Sequence, residues 1–342
     1  MIKPWIFEFL YALAGQGGEA DPTVVYDKGI ALWKRLDELD FEGIFFSEHH
    51  FGLSYSPSPN LLIAAIARAT KRLRLGTMGV VLPLYQPWRV LEEIGMLDHL
   101  TGGRLEIGCA SGVPQELIQT GIGPEENRGR FDETLQILDA WLAEPVISHH
   151  GRYYNIDDLR VVPRPLQQPS PPKWTTVVSP ASATRSAGRR SKICTAFESV
   201  ARITEIFDAY RTEADRIGFA CGPDHLAIRR NISIAVSEAE AQERSQRARE
   251  VAAKVLAGDP RVQHSSSLLD APKRGIGFSV HADEFIAGTP AQVAEQIIAQ
   301  CRATGAGHVL AILGRAVDEQ RIRSVELFAG QVIPLLRRAE IA

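Results

Sequence analysis

The stretch "SPSPNLLIAAIARATKRLRLGTMGVV", residues 56–81, decides the fold. Ser58 stands where a helix cap belongs, Pro59 has the fixed φ that suits a first helical turn, and Leu62, Ile63, Ile66 and Ala69 recur at helical spacing as one apolar stripe. A strand is expected next, at residues 73–81. The pattern then returns. Pro87 opens a helix whose Val90, Leu91, Ile94 and Leu97 share a face, Gly102 and Gly103 stop it, and "RLEIGC" (104–109) reads as the following strand. Near the other end, "TPAQVAEQIIAQCRAT" starts at Thr289 and Pro290, sets Val293, Ile297 and Cys301 on one side, and stops at Gly305 before the strand "HVLAIL" (308–313).

Further strands read at residues 5–9, 41–46, 174–178, 192–195 and 226–236, which makes about eight strand–helix units. Such alternation requires a parallel sheet covered by helices. Eight units over 342 residues suit a closed (β/α)8 TIM barrel of the α/β class, one domain over residues 1–342, better than an open doubly wound sheet. Two polar stretches resist the pattern: "GPEENRGRFDE" (123–133) and the Gly- and Pro-rich residues 257–285. Long loops after barrel strands are where lids sit, so 257–285 is the lid candidate. "GTMG" (76–79) and "GCASG" (108–112) follow strands, but neither is G-x-G-x-x-G, so a dinucleotide-binding fold is not indicated.

The 38 basic and 41 acidic residues leave a net charge of −3 and are mixed along the chain, which argues against nucleic acid or an anionic membrane as partner. Glu8 interrupts the apolar start and no basic region leads into a long apolar one, so neither a signal peptide nor a spanning helix is expected and the protein reads as cytoplasmic. The four cysteines (Cys109, Cys194, Cys221 and Cys301) lie far apart with no C-x-x-C pair, which reads as reduced thiols rather than a zinc site or disulfide framework.

Active sites of such barrels form at the C-terminal ends of the strands. "FFSEHHFG" (45–52) places Ser47, Glu48, His49 and His50 at the end of the second strand. If the strand alternation continues, Ser47 and His49 face one way and Glu48 and His50 the other. A histidine titrates near neutrality, which makes His49 a candidate general acid or base. No metal site is expected, because adjacent strand residues point apart and the other strand ends offer no histidine or carboxylate.

"SEHHFG", residues 56–112, "NRGRFDETLQIL" and residues 149–189 together resemble the bacterial-luciferase-like flavin monooxygenases, which are (β/α)8 barrels. "GTPAQVAEQIIAQCRATGAGHVLAILG" extends the likeness over nearly the whole chain. The resemblance implies that His49 matches the family's catalytic histidine, with Glu48 and His50 as its neighbours. It implies that Met78 and Gly79 match the two residues joined by a non-proline cis peptide beneath the flavin ring, Gly79 leaving backbone for the ring to lie against. Ala110 and Ser111 match positions where the luciferases themselves carry a cysteine near the ring and an arginine on the flavin phosphate, and both differ here. "SPASATRSAGRR" (179–190) resembles the phosphate loop. Ser179, Ala181, Ser182 and Thr184 would hold the phosphate with hydroxyls and the free N–H groups of a starting helix, and Arg185 would supply the charge that Ser111 lacks.

The activity so implied is oxygenation of a small organic substrate with O2 and reduced FMN. The FMN would be delivered by a separate flavin reductase in a two-component system, to a homodimer. The site has to exclude water, a task assigned to Phe7, Phe9, Phe46, Phe51, Val81 and Leu82. Three rivals are carried: a deazaflavin-dependent oxidoreductase on the same barrel, a non-catalytic flavin-binding subunit, and a metal hydrolase.

Overall fold

Side chains alternate along a strand, so each short apolar strand offers one set of residues to the inside of a barrel and the next set to the helices outside. The computed structural model describes residues 1–10, 20–51, 54–256, 280–314 and 316–341. Its strands are β1 (Lys3–Glu8), β2 (Gly43–Phe46), β3 (Arg74–Thr77), β4 (Val80–Val81), β5 (Leu105–Ala110), β6 (Ile147–His150), β7 (Asn155–Leu159), β8 (Lys173–Thr176), β9 (Lys192–Thr195), β10 (Leu226–Ile234), β11 (Phe285–Gly288) and β12 (His308–Ile312). Eight of them, β1, β2, β3, β5, β8, β9, β10 and β12, pair in parallel in that order, and β12 returns to β1 to close the ring. The barrel expected from the sequence is therefore present. β11 adds in parallel to the far end of β10, and β6 and β7 form an antiparallel hairpin apart from the ring.

The helices are α1 (Pro22–Glu38), α2 (Pro59–Ala67), α3 (Pro87–Thr101), α4 (Pro114–Gln119), α5 (Pro124–Ala143), α6 (Pro180–Gly188), α7 (Val200–Arg216), α8 (Glu238–Leu256), α9 (Pro290–Thr304), α10 (Glu319–Leu327) and α11 (Ile333–Arg338). Outward strand residues such as Ile6, Ile44, Phe46, Leu75, Ile107 and Ile228 pack with Trp33, Ile63, Leu91, Phe207 and Ile297 of the helices in the larger core. Trp5, Phe7, Phe45, Met78, Trp174, Ala227, Leu310 and Ile312 form a separate inner core. Trp5 Nε1 donates to Nδ1 of His308 at 2.9 Å, while His308 Nε2 lies 3.1 Å from the Asp224 carbonyl. Full burial penalises the imidazolium, so His308 is held neutral, its pKa lowered to about 3.

Three local expectations change. Ser58 sits at the cap of α2, but its hydroxyl makes no capping bond there. The strand expected over residues 73–81 divides into β3 and β4 around Met78 and Gly79. The polar stretch 123–133 is mostly helix, the first half of α5. A surface helix needs only one apolar stripe: Phe131, Leu135 and Leu138 are buried, while Arg130–Glu126 (2.6 Å) and Arg128–Asp132 (2.8 Å) pair one turn apart. Of the lid candidate, residues 257–279 lie outside the described residues. Its last part, 280–285, runs into β11 and includes the fully buried Glu284.

Candidate active site

β2 ends at Phe46, and the polar residues that follow are aimed by contacts rather than by a sheet. Ser47 Oγ donates to the Glu8 carbonyl at 3.2 Å. Glu48 turns away from the barrel interior and is buried; its carboxylate accepts from Val81 N–H at 3.1 Å and from Tyr85 OH at 3.0 Å, and lies 2.8 Å from His50 Nε2. The bond to Glu48 raises the His50 pKa above its ordinary value, against the opposing effect of burial. His50 lines a cleft of about 470 Å³ with Leu84, Tyr85, Ile122, Glu126 and Arg130.

His49 points the other way. Its ring stacks on Phe9, with centroids 5.6 Å apart and planes inclined by 18°, and its Nδ1 lies 3.1 Å from Glu116 Oε1. Glu116, on α4, is buried and its second oxygen has no partner. β2 does not continue to carry an alternation, but contacts place Glu48 and His50 together and His49 with Glu116 instead. Glu48 fastens the strand ends, and the carboxylate that meets His49 is Glu116. Sequence reading missed Glu116, because an acidic residue in the first turn of a short helix carries no mark of where it points.

The Met78–Gly79 peptide is cis. Met78 faces the inner core, and its N–H donates to the Phe46 carbonyl at 2.8 Å. A Cβ at Gly79 would lie 2.7 Å from the Cys109 backbone N and C, so β5 leaves no room for a side chain there. Ala110 ends β5 beside Val81, and Ala110 and Ser111 are both half-buried.

At the start of α6, Ser179 Oγ accepts from Ser182 N–H at 3.3 Å, and Ser182 Oγ accepts from Ser179 N–H at 3.1 Å. Ser182 Oγ also donates to the Ser179 carbonyl at 2.7 Å, and Thr184 Oγ1 donates to the Pro180 carbonyl at 3.1 Å. The hydroxyls expected to grip a phosphate are thus engaged within the helix, and Ala181 N–H is the first-turn amide that the reciprocal cap leaves over. Arg185 lies in the last turn of α6, exposed; partial burial lowers its pKa, with Arg128 adding to the shift and Asp132 opposing it. Arg128 is itself paired with Asp132 on α5, so Arg185 is the cation of this segment without a carboxylate of its own among the described ion pairs. Ala181 N–H and the exposed Arg185 guanidinium are the groups of this segment left to meet an anion such as the FMN phosphate.

The water-excluding set divides. Phe7 belongs to the inner core and Phe9 packs against it, whereas Phe46 and Leu82 lie in the outer core, Val81 packs with Leu117 and Ile122, and Phe51 is half exposed. Another polar group sits at the barrel mouth that the sequence reading did not single out. Arg229, one inward step along β10 from Ala227, lies with its guanidinium carbon 4.1 Å from the Phe197 ring centre, 5.4 Å from Phe7 and 5.5 Å from Phe9. Glu284 Oε1 accepts from Arg229 Nη2 and from Asn231 Nδ2, each at 2.9 Å.

The sequence profile of the family described as luciferase-like monooxygenase matches residues 8–308. Protein y4wF of Sinorhizobium fredii is 36% identical over 213 residues, 61% of this chain and 62% of that protein. The oxygenase component of a flavin-dependent trigonelline monooxygenase from Acinetobacter baylyi is 33% identical over 163 residues, 46% of this chain and 45% of that one. The chain thus aligns with less than two thirds of the length of these curated relatives. Among solved structures, the oxygenating constituent of 3,6-diketocamphane monooxygenase from the CAM plasmid of Pseudomonas putida, in complex with FMN, matches with a TM-score of 0.81. It is 21% identical and covers 100% of this chain and 99% of its own, a likeness of fold.

Proposed function

The chain belongs to the luciferase-like monooxygenases, and from that premise we propose that it is the oxygenase component of a two-component system. It receives reduced FMN from a separate flavin reductase and uses O2 to oxygenate a small organic substrate. The observation that carries this reading is the placement of His49, held between Phe9 and Glu116 at the strand end next to Met78–Gly79.

Bound FMN supplies the electrons that activate O2. The protein residues do the rest. Opposite a carboxylate, Nδ1 of His49 carries the ring hydrogen, which leaves the Nε2 lone pair to take a proton and return it. Stacking on Phe9 holds that ring in one plane. Phe7, Phe9, Met78 and Phe197 surround the mouth with apolar surface and keep water from the reacting centre. In this reading Met78, Gly79, Ala110 and Ser111 would meet the ring end, and Ala181 N–H with Arg185 the phosphate, while Ser179, Ser182 and Thr184 shape the start of α6 through the bonds they make within it. Glu48 and His50 act as supports of the strand end.

Among the described residues no helix is long and apolar enough to cross a membrane. A homodimer is part of the reading, supported by Leu61 on α2 and Trp88, Met96 and Leu100 on α3, exposed apolar residues on two helices packed side by side. A cytoplasmic location completes it.

The test mixes anaerobic protein and reduced FMN with oxygenated buffer and follows the reappearance of oxidised flavin. Reappearance well behind that of free FMN is expected. His49→Ala is expected to shorten the delay by roughly tenfold or more while leaving the FMN dissociation constant within about twofold. Reappearance at the free-flavin rate in the unaltered protein refutes the oxygenase reading and favours hydride transfer from a deazaflavin.

A further inference from the structure

Glu8, the last residue of β1, is a buried carboxylate that collects donors from three parts of the chain. Arg321 of α10 grips it with both terminal nitrogens, Nη1 to Oε1 at 3.2 Å and Nη2 to Oε2 at 2.7 Å, and the two side chains are 1% and 2% exposed. Trp33 Nε1 of α1 donates to Oε2 at 2.9 Å, and Leu10 N–H donates to Oε1 at 3.0 Å. One positive charge thus meets one negative charge, and both carboxylate oxygens are filled. Bidentate pairing fixes the plane of a carboxylate as well as its place.

The bond to Leu10 carries that order toward the barrel mouth. Leu10 has φ 49, in the left-handed region that a leucine seldom takes, so the turn after Phe9 depends on contacts that hold it. From this turn the Phe9 ring lies on His49, with centroids 5.6 Å apart and planes inclined by 18°. The backbone repeats the connection. The Phe9 carbonyl accepts from Ser54 Oγ at 2.6 Å and the Leu10 carbonyl from Tyr55 N–H at 2.9 Å, while the Ser56 carbonyl accepts from His49 N–H at 3.2 Å and Ser56 Oγ donates to the Ser47 carbonyl at 2.5 Å. Resting on the oxygenase reading, we propose that Arg321 is a positioning residue for His49: through Glu8 it locks the Leu10 turn, and the turn sets both the stacking ring and the backbone that aim the imidazole. A proton-transferring group displaced by about an ångström loses much of its effect.

The test reads the His49 ring by NMR of histidine-labelled protein and the flavin delay separately. Among the nine histidines, the His49 signal is the one absent from His49→Ala, and Phe9→Leu shows where it lies once the stacking ring is gone. Arg321→Met is expected to move the signal most of the way to that position. It is also expected to shorten the delay in flavin reappearance by roughly threefold or more, with the FMN dissociation constant within about twofold. Arg321→Lys, which keeps the charge without the planar fork, is expected to do less of both. Arg104→Met is the control: Arg104 donates to the Ala67, Leu73 and Thr101 carbonyls beside the N-terminal ends of β3 and β5, the far end of the barrel. It is expected to lower Tm and to leave the signal and the delay in place. Should Arg321→Met fail to fold, Glu8→Gln carries the same expectation from the other side of the pair. A His49 signal that stays in place in the folded variants of the pair, or that Arg104→Met moves equally, overturns the proposal and makes the pair a fastening between β1 and α10. A displaced signal with an undiminished delay also overturns it and leaves the oxygenase reading standing. Absence of any delay in the unaltered protein sinks the oxygenase reading alone, since the His49 signal is read without flavin.

Discussion

Glu48→Gln tests how the strand ends are held. The carboxylate is buried and serves Val81 N–H (3.1 Å), Tyr85 OH (3.0 Å) and His50 Nε2 (2.8 Å), which join the end of β2 to β4 and to the segment after it. Glutamine keeps one acceptor oxygen, but its NH2 has to face at least one of these donors, and the negative charge is gone. Hydrogen bonds to charged groups contribute about 1.5–3 kcal/mol each and a buried donor left unpaired costs about 1–3 kcal/mol, so a loss of about 3 kcal/mol is expected. The loss should depend on pH. The folded His50 pKa is raised above an unfolded value of about 6.5, so the His50–Glu48 contribution is complete below about pH 6.5 and fades as pH rises through the folded value. Urea unfolding followed by tryptophan fluorescence, at about pH 6 and about pH 9, measures the gap between the two proteins. A gap larger at the lower pH is expected. A gap below about 1 kcal/mol, or one equal at both pH values, refutes the reasoning.

Gly79→Ala would force a methyl group to within 2.7 Å of the Cys109 backbone N and C, where no flexible side chain can yield. A destabilisation of about 1–3 kcal/mol or more is expected in chemical unfolding, and a change within about 0.5 kcal/mol would mean that β5 does not set the residue at position 79. His308 makes the opposite kind of pH statement to His50. Its folded pKa is lowered to about 3, so the stability it contributes is present above about pH 6.5 and is lost as pH falls from there toward 3, at up to about 1.4 kcal/mol per pH unit. His308→Gln, which still accepts from Trp5 and does not titrate, should flatten unfolding free energy between about pH 6.5 and 5; an unchanged slope would assign the acid sensitivity to other groups.

The recurring helix and strand patterns of residues 56–109 made the barrel legible, because an amphipathic period and its Gly and Pro boundaries are written locally. The barrel in turn marked Glu48, His49 and His50, since groups at the C-terminal ends of barrel strands converge on one mouth. The polar half of α5 was hidden for the same local reason: its ion pairs make a helix face that resembles a loop in composition. Phe46 and Leu82 look in sequence like mouth-lining residues, and only the outer packing places them against the helices.

What the sequence by itself determined was the ring of strands and the strand end where proton chemistry is concentrated. Which histidine faces Phe9, which carboxylate meets it, and where the buried cation stands were decided by tertiary structure. Glu116 is 67 residues from His49, and Glu284 is 55 from Arg229. The direction of a side chain past the end of a strand is no longer set by the pleat. It is set by whichever donor, acceptor or ring the closed barrel brings against it, and those partners become neighbours only when the ring closes.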